Sequence, residues 1–177
     1  MQTLSERIAK AVRDIPDFPK KGIIFKDIAP ILKDINLFSD IINFLADKYK
    51  TAGITKIAGV ESRGFLFGMP LALKMEVPFV PVRKKGKLPG DTVEVSYDLE
   101  YGSACMEVQS DAICGQDKVL IVDDLLATGG TALAAIKLVK KLKGTPGAVA
   151  FILELSFLNG RENLKNSSVE IFSILKY

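Results

Sequence analysis

The chain has 177 residues, 48% hydrophobic and 25% charged, which is ordinary for a globular chain with enough length to bury one core. Its net charge of +3, from 24 basic and 21 acidic residues, is too small to imply a nucleic-acid partner. There is no histidine, which excludes Ser-His-Asp and Cys-His catalysis and His-based zinc sites, so any general acid or base is Asp, Glu, Lys, Tyr or Cys.

Leu4, Ile8, Ala11 and Val12 recur at helical spacing and predict an amphipathic helix over about residues 3–14, stopped by Pro16 and Pro19. Residues 15–30, I-P-D-F-P-K-K-G-I-I-F-K-D-I-A-P, read as an extended segment punctuated by Pro and Gly. A second amphipathic helix is expected over about residues 37–50, from Phe38, Ile41, Ile42, Leu45 and Tyr49. Residues 57–60 form a short strand that delivers Glu61-Ser62-Arg63-Gly64-Phe65, and a helix follows to about residue 74. Gly64 relieves crowding at that turn. Free N–H groups at the helix start can bind a phosphoryl group, and Arg63 offers a bidentate fork. The plainer reading is a βα turn with a surface salt bridge from Glu61 to Arg63.

Residues 78–82 are the next strand. They run into Arg83-Lys84-Lys85-Gly86-Lys87-Leu88-Pro89-Gly90, a charge run that is usually a solvated loop. Residues 92–99 alternate cleanly between apolar and polar and pair with residues 104–109 as a hairpin crossing Glu100-Tyr101-Gly102-Ser103.

Residues 119–131 read V-L-I-V-D-D-L-L-A-T-G-G-T. The apolar run Val119–Val122 is expected of a strand buried on both faces of a parallel sheet. Asp123 and Asp124 stand at its carboxyl end, where ligands sit in open α/β sheets. The loop through Ala127 and Thr128 turns into a helix that begins near Gly129 and runs to about residue 143. Gly129 and Gly130 allow close backbone approach, and the helix start, with the hydroxyls of Thr128 and Thr131, suits a phosphate. Two carboxylates accept from vicinal hydroxyls and help place Mg²⁺ through water. A ligand with a phosphate and a sugar diol fits this arrangement, as in phosphoribosyl pyrophosphate (PRPP). A Walker B strand would need G-x-x-x-x-G-K-[ST], which the sequence lacks. A strand over residues 148–155, a short helix or turn over 157–164 and a last strand over 169–175 complete the pattern. The three loops with anion-binding character all follow strand ends, so in a parallel sheet they meet on one face.

The sequence V-L-I-V-D-D-L-L-A-T-G-G-T resembles the PRPP signature of the type I phosphoribosyltransferases, and its Leu125-Leu126-Ala127 variant is similar to that of the adenine-specific branch. The segments F-P-K-K-G-I-I-F-K-D-I, E-S-R-G-F, R-K-K-G-K-L-P, S-Y-D-L-E-Y-G and F-L-N-G-R-E match the same family. The match departs at Lys21, where the family often has Pro, and at Lys26, where it often has Arg.

The resemblance implies an α/β fold with a parallel sheet, an N-terminal hood over residues 1–35, a core over 36–177 and a β-hairpin flap, all in one domain. It implies transfer of the phosphoribosyl group from PRPP to adenine, giving AMP and pyrophosphate, with Mg²⁺ held mainly by PRPP and water. Ribose phosphate falls to Asp123, Asp124, Ala127, Thr128, Gly129, Gly130 and Thr131. Pyrophosphate falls to Glu61, Ser62, Arg63, Arg83, Lys84 and Lys87. Adenine falls to Ile24, Phe25, Lys26 and Leu125, with Phe25 stacking on the base and backbone groups reading its amine. Glu100 and Arg63 are the implied catalytic residues, with Tyr101 helping to close the flap. A homodimer is also implied. F-L-N-G-R-E is read as core and cap packing with no chemistry.

A PRPP-sensing regulator and a transferase for 6-oxopurines are the rival readings. Too few cysteines for a disulfide scaffold (Cys105 and Cys114), no apolar run of roughly 18 residues, and charges near the N-terminus point to a cytoplasmic chain without a membrane partner.

Overall fold

The computed structural model describes residues 2–98 and 103–177. In chain order its elements begin with α1 (Leu4–Ala11), β1 (Arg13–Pro16), β2 (Ile24–Asp27), α2 (Ala29–Lys33) and α3 (Ile35–Tyr49). They continue with β3 (Lys56–Val60), α4 (Arg63–Met75), β4 (Phe79–Lys84), β5 (Thr92–Asp98) and β6 (Ser103–Gln109). The last are β7 (Lys118–Leu126), α5 (Gly130–Lys141), β8 (Thr145–Glu154), α6 (Gly160–Leu164) and β9 (Glu170–Lys176).

The main sheet has seven strands in the order β5-β6-β4-β3-β7-β8-β9. The five from β4 to β9 run parallel, and β6 and β5 extend the edge antiparallel. The α/β expectation therefore holds, with the hairpin strands as the antiparallel exception. Alternation along β7 explains its central place. Leu120 and Val122 pack into a core with Ile41 and Leu45 of α3 and Phe67 and Leu71 of α4. Val119 and Ile121 pack into the opposite core with Ala135, Leu138 and Val139 of α5. Both sets are fully buried, as the continuous apolar run predicts.

This two-sided packing also fixes where a ligand can sit. The helix after β3 covers one face and the helix after β7 covers the other. Neighbouring parallel strands whose connections leave to opposite faces form a topological switch point, with a crevice outside their carboxyl ends. Here that crevice lies between β3 and β7.

Four expectations are corrected. The first helix ends at Ala11, and Arg13–Pro16 pairs antiparallel with Ile24–Asp27, with Arg13 opposite Asp27. The extended segment is thus half of a two-stranded ribbon whose ends are tied by the Arg13–Asp27 ion pair. The helix α2 follows at once, with Pro30 in its first turn, where a missing N–H costs nothing. Strand β4 continues through Arg83 and Lys84, because both pair with β6. Strand β7 continues through both aspartates to Leu126, because β8 stays paired alongside it.

Candidate active site

The turn after β3 is drawn tightly onto β7. A Cβ on Gly64 would stand 2.5 Å from the Val122 carbonyl oxygen and 3.1 Å from Asp123 Oδ1. Glycine is therefore required for the start of α4 to reach the aspartates, as the sequence implied. The Glu61–Ser62 peptide preceding it is cis. From this position Arg63 forms an ion pair with Asp124, Nε lying 2.9 Å from Oδ2. The Arg63 guanidinium also lies 5.4 Å from the ring centre of Phe25 in β2, so the N-terminal ribbon reaches the same place.

Asp124 is only 3% exposed, and its backbone N–H donates to Asp123 Oδ1 at 2.9 Å. Burial and the adjacent Asp124 carboxyl push Asp123 well above its ordinary range. Burial also raises Asp124, with the Arg63 charge working against it. The pair holds a proton more tightly than two free aspartates. That proton belongs on Asp123, since Arg63 favours an ionised Asp124.

Beyond the aspartates, Gly129 has φ 87° and caps α5 in the left-handed conformation that glycine tolerates. The first turn of α5 carries no acidic residue, so nothing opposes an anion at its N-terminus. Asp123, Leu125, Ala127, Thr128, Gly129, Gly130 and Thr131 face a small hollow of about 70 Å³. It adjoins a cleft of about 370 Å³ bordered by Glu61, Ser62, Arg63, Lys84, Asp123, Asp124 and Leu125. Tyr97 of β5 borders the cleft too, and its hydroxyl is 3.2 Å from that of Thr131.

The ion pairs differ from the plain sequence reading. Glu61 pairs with Arg83 at 2.9 Å rather than with Arg63, and its other oxygen accepts from the Lys84 N–H. The Arg83 hydrogen bond, and then the Lys84 N–H, hold the Glu61 carboxyl below its ordinary range against the cost of burial. Arg83 also donates to the Lys87 carbonyl, so its guanidinium braces the basic loop. The Lys26 ammonium is engaged by Asp14 at 2.7 Å and lies over the Tyr177 ring. Ile24 is exposed on the same strand. Glu100 and Tyr101 lie outside the described residues.

Glu107 was not anticipated. It sits on the polar face of β6, yet it is 3% exposed because the 85–90 loop folds over it. Its carboxylate accepts from the N–H groups of Lys87 and Leu88 and from the Thr92 hydroxyl. Burial pushes this carboxyl up, but the N–H donors of Leu88, Gly86 and Lys87 outweigh it and hold it below its ordinary value. Its stabilisation is therefore present above the ordinary glutamate value of 4.5 and is lost as pH falls below it. Glu107→Gln is expected to cost about 1–2 kcal/mol at neutral pH, from the loss of charge-assisted bonds. Urea unfolding at pH 7 and pH 4 checks this: the variant should lose less on acidification than the parent chain, and an equal loss would contradict the assignment.

The phosphoribosyl transferase domain family matches residues 29–174. An adenine phosphoribosyltransferase of Halothermothrix orenii is 51% identical over 169 residues, covering 96% of this chain and 98% of that protein. The crystal structure of adenine phosphoribosyltransferase from Thermoanaerobacter pseudethanolicus superposes with a TM-score of 0.94, at 50% identity, covering 99% of this chain and all of that one. The Trypanosoma brucei adenine phosphoribosyl transferase, solved with AMP, pyrophosphate and ribose-5-phosphate, has a TM-score of 0.91 at 31% identity, covering 99% of this chain and 80% of that one. A phosphate-shaped helix start, a carboxylate pair and an arginine turn at one switch point are what such ligands need, and with this breadth of likeness the chain belongs to the phosphoribosyltransferase family, in its adenine-specific branch.

Proposed function

We propose that this chain transfers the 5-phosphoribosyl group of PRPP to adenine, giving AMP and pyrophosphate. The observation that carries the reading is the meeting of the 61–63 turn, the 123–131 loop and Lys84 at the end of β4 around one cleft, in a chain half identical to named adenine phosphoribosyltransferases. The α5 N-terminus and Thr131 take the 5-phosphate. Asp123 and Asp124 accept from the ribose hydroxyls. Ser62, Arg63, Lys84 and Lys87 face the pyrophosphate, while Glu61 and Arg83 brace one another and the basic loop. Breaking the C1–O bond leaves positive charge on the ribose and negative charge on pyrophosphate. The carboxylates favour the first, and Arg63 with the loop donors favours the second.

Among the described residues no three His, Cys, Asp or Glu side chains cluster into a metal cage. Two carboxylates at the crevice suit Mg²⁺ that keeps its waters and rides on the phosphates. Asp123 and Asp124 would hold such an ion through its waters, where it would supply charge neutralisation for the leaving pyrophosphate, and loss of turnover on chelation checks its need.

The β1–β2 ribbon has only two strands, so one edge of β2 is left to offer alternating N–H and C=O groups. The closeness of Phe25 to Arg63 supports a role for that edge in reading the purine, with Leu125 proposed for the other side of the base. A backbone carbonyl accepts from the amine of adenine and repels the oxygen of a 6-oxopurine. Glu100 is proposed to hydrogen-bond the imidazole nitrogen opposite the bond being made, with Tyr101 beside it. Glu100→Gln is expected to lower turnover at least tenfold with a smaller effect on PRPP affinity, and an unchanged turnover would remove Glu100 from the mechanism.

Leu66, Met69 and Leu73 expose an apolar row on α4, which supports a homodimer; a single-chain molar mass by light scattering would argue against it. The two free cysteines, and the lack among the described residues of any helix able to cross a membrane, support a place in the cytoplasm. Fractionation of the cells that make the chain checks this. The reaction itself is tested by pyrophosphate release from PRPP and Mg²⁺ with each base offered separately. Release with adenine alone is expected. Release with a 6-oxopurine would overturn the base assignment, and PRPP binding without release would favour a sensor.

A further inference from the structure

The segment F-L-N-G-R-E-N-L was expected to serve only packing, yet its contacts run to the back of the loop that faces the phosphate hollow. Gly160 is buried, and a Cβ there would stand 2.1 Å from the Ala127 carbonyl oxygen. The contact is reciprocal, since a Cβ on Gly129 would stand 2.7 Å from the Gly160 carbonyl oxygen. Three residues on, Asn163 Nδ2 donates to the Thr128 carbonyl at 2.9 Å. Leu164, also buried, closes the contact beneath Gly129.

The segment is itself anchored. Arg161 makes two bonds to the carboxylate of buried Glu154, through Nε at 3.1 Å and Nη2 at 2.6 Å. It also donates to the Ile171 carbonyl at 2.6 Å, and the Ser173 hydroxyl donates to Glu154 at 2.6 Å. Strands β8 and β9 therefore hold the turn, and the turn holds the loop. A bidentate arginine fork with a buried carboxylate is a rigid mount for such a contact.

We propose that Gly160 and Asn163 are positioning residues that set the 127–130 loop for the 5-phosphate. The physical reason is peptide polarity. A carbonyl fixed toward the 160–163 turn leaves its peptide N–H directed the other way, so engaging the Ala127 and Thr128 carbonyls from behind turns loop N–H groups toward the hollow. A loop preset in this way does not spend binding energy on ordering itself. The proposal rests on the reading of residues 127–131 as the phosphate loop, and it adds the source of that loop's shape.

The test is calorimetric binding of AMP, with the KM for adenine at saturating PRPP and the melting temperature measured alongside. Asn163→Ala is the first variant, because Asn163 is exposed and its removal leaves the core intact. AMP affinity is expected to fall about fivefold, the value of one ordinary hydrogen bond. The KM for adenine and the melting temperature should stay close to those of the parent. Asn163→Asp keeps the shape but loses the donor, and should show the same loss. Gly160→Ala should fall tenfold or more, through displacement of the Ala127 carbonyl. Thr131→Ala is the reference for the loop itself. If Thr131→Ala weakens AMP while the Asn163 and Gly160 variants bind normally, the positioning role is wrong and the phosphate loop stands. If none of them changes AMP binding, the phosphate-loop reading falls as well. An equal loss of AMP and adenine affinity, with a lower melting temperature, would reduce the turn to general packing and overturn the proposal.

Discussion

Replacing Arg63 with alanine is expected to lower turnover about a hundredfold and to destabilise the unliganded fold at the same time. The rate loss follows from the removal of the donor proposed above for the leaving pyrophosphate, since one preorganised donor is worth about 3 kcal/mol. The stability loss has a separate origin. Asp124 is 3% exposed and depends on Arg63 for charge compensation. The Arg63 side chain is itself 37% exposed, so water screens part of the interaction and the cost is about 1–2 kcal/mol rather than that of a fully buried pair. Without Arg63 the burial of Asp124 meets less opposition and its pKa rises further. An acid with a raised folded pKa loses stability as pH rises through that value, so the deficit should grow from acid toward neutral pH. The double variant Arg63→Ala with Asp124→Asn separates the two effects. It should recover the melting temperature and remain slow. Arg63→Lys should be intermediate, since an ammonium keeps the charge but loses the planar fork and the contact with Phe25. Turnover within threefold of the parent in Arg63→Ala would remove Arg63 from catalysis.

How these charges choose partners marks the boundary of what the sequence made legible. Helices α3, α4 and α5, the double-sided burial of β7, the need for Gly64 and the approach of the 61–63 turn to the 123–131 loop all follow from local pattern; of the basic segment only Lys84 borders the same cleft. Each depends on period, glycine chemistry and the carboxyl-end rule, which act over a few residues. Ion-pair partners depend on register instead. Val60 stands opposite Val82 in the β3–β4 pair, which sets Glu61 beside Arg83. Gly59 stands opposite Val122 in the β3–β7 pair, which brings the following turn onto the aspartates. Nothing within residues 61–63 distinguishes Arg83 from Arg63 as the partner of Glu61. Glu107 was hidden for a similar reason. It lies on the polar face of an alternating strand, and only the return of the basic loop over that face buries it. The ribbon of β1 and β2 escaped because four-residue strands flanked by prolines carry too little periodicity to separate from an extended loop. The 157–164 segment could be seen to turn, but its partner is a loop about thirty residues earlier, and no local feature names it.

Asp123→Asn is expected to make the unliganded protein more stable and the enzyme far worse. Asp123 is pushed well above its ordinary range by burial and by Asp124, so its ionised form is a charge the fold disfavours. An acid with a raised folded pKa contributes stability below the unfolded value, near 3.8, and loses it progressively as pH climbs through the folded value. Asparagine has no charge to penalise, and its Oδ1 still accepts the Asp124 N–H that Asp123 Oδ1 accepts now. A gain of about 1 kcal/mol is expected at pH 7, or roughly 3 °C in melting temperature for a chain of this size. The gain should vanish as pH falls toward the ordinary aspartate range, where the parent carboxyl is itself protonated. PRPP affinity should fall at least tenfold, because an amide oxygen accepts ribose hydroxyls more weakly than a carboxylate does and the amide nitrogen accepts none. The two effects share one cause. The site keeps two close carboxylates of which only Asp124 has a cation, Arg63, beside it, so binding energy from the ligand answers a strain built into the free enzyme. A lower melting temperature for Asp123→Asn would show that the pair is stabilising in the free protein, and the carboxylates would then be part of the scaffold rather than a charge held in readiness for the substrate.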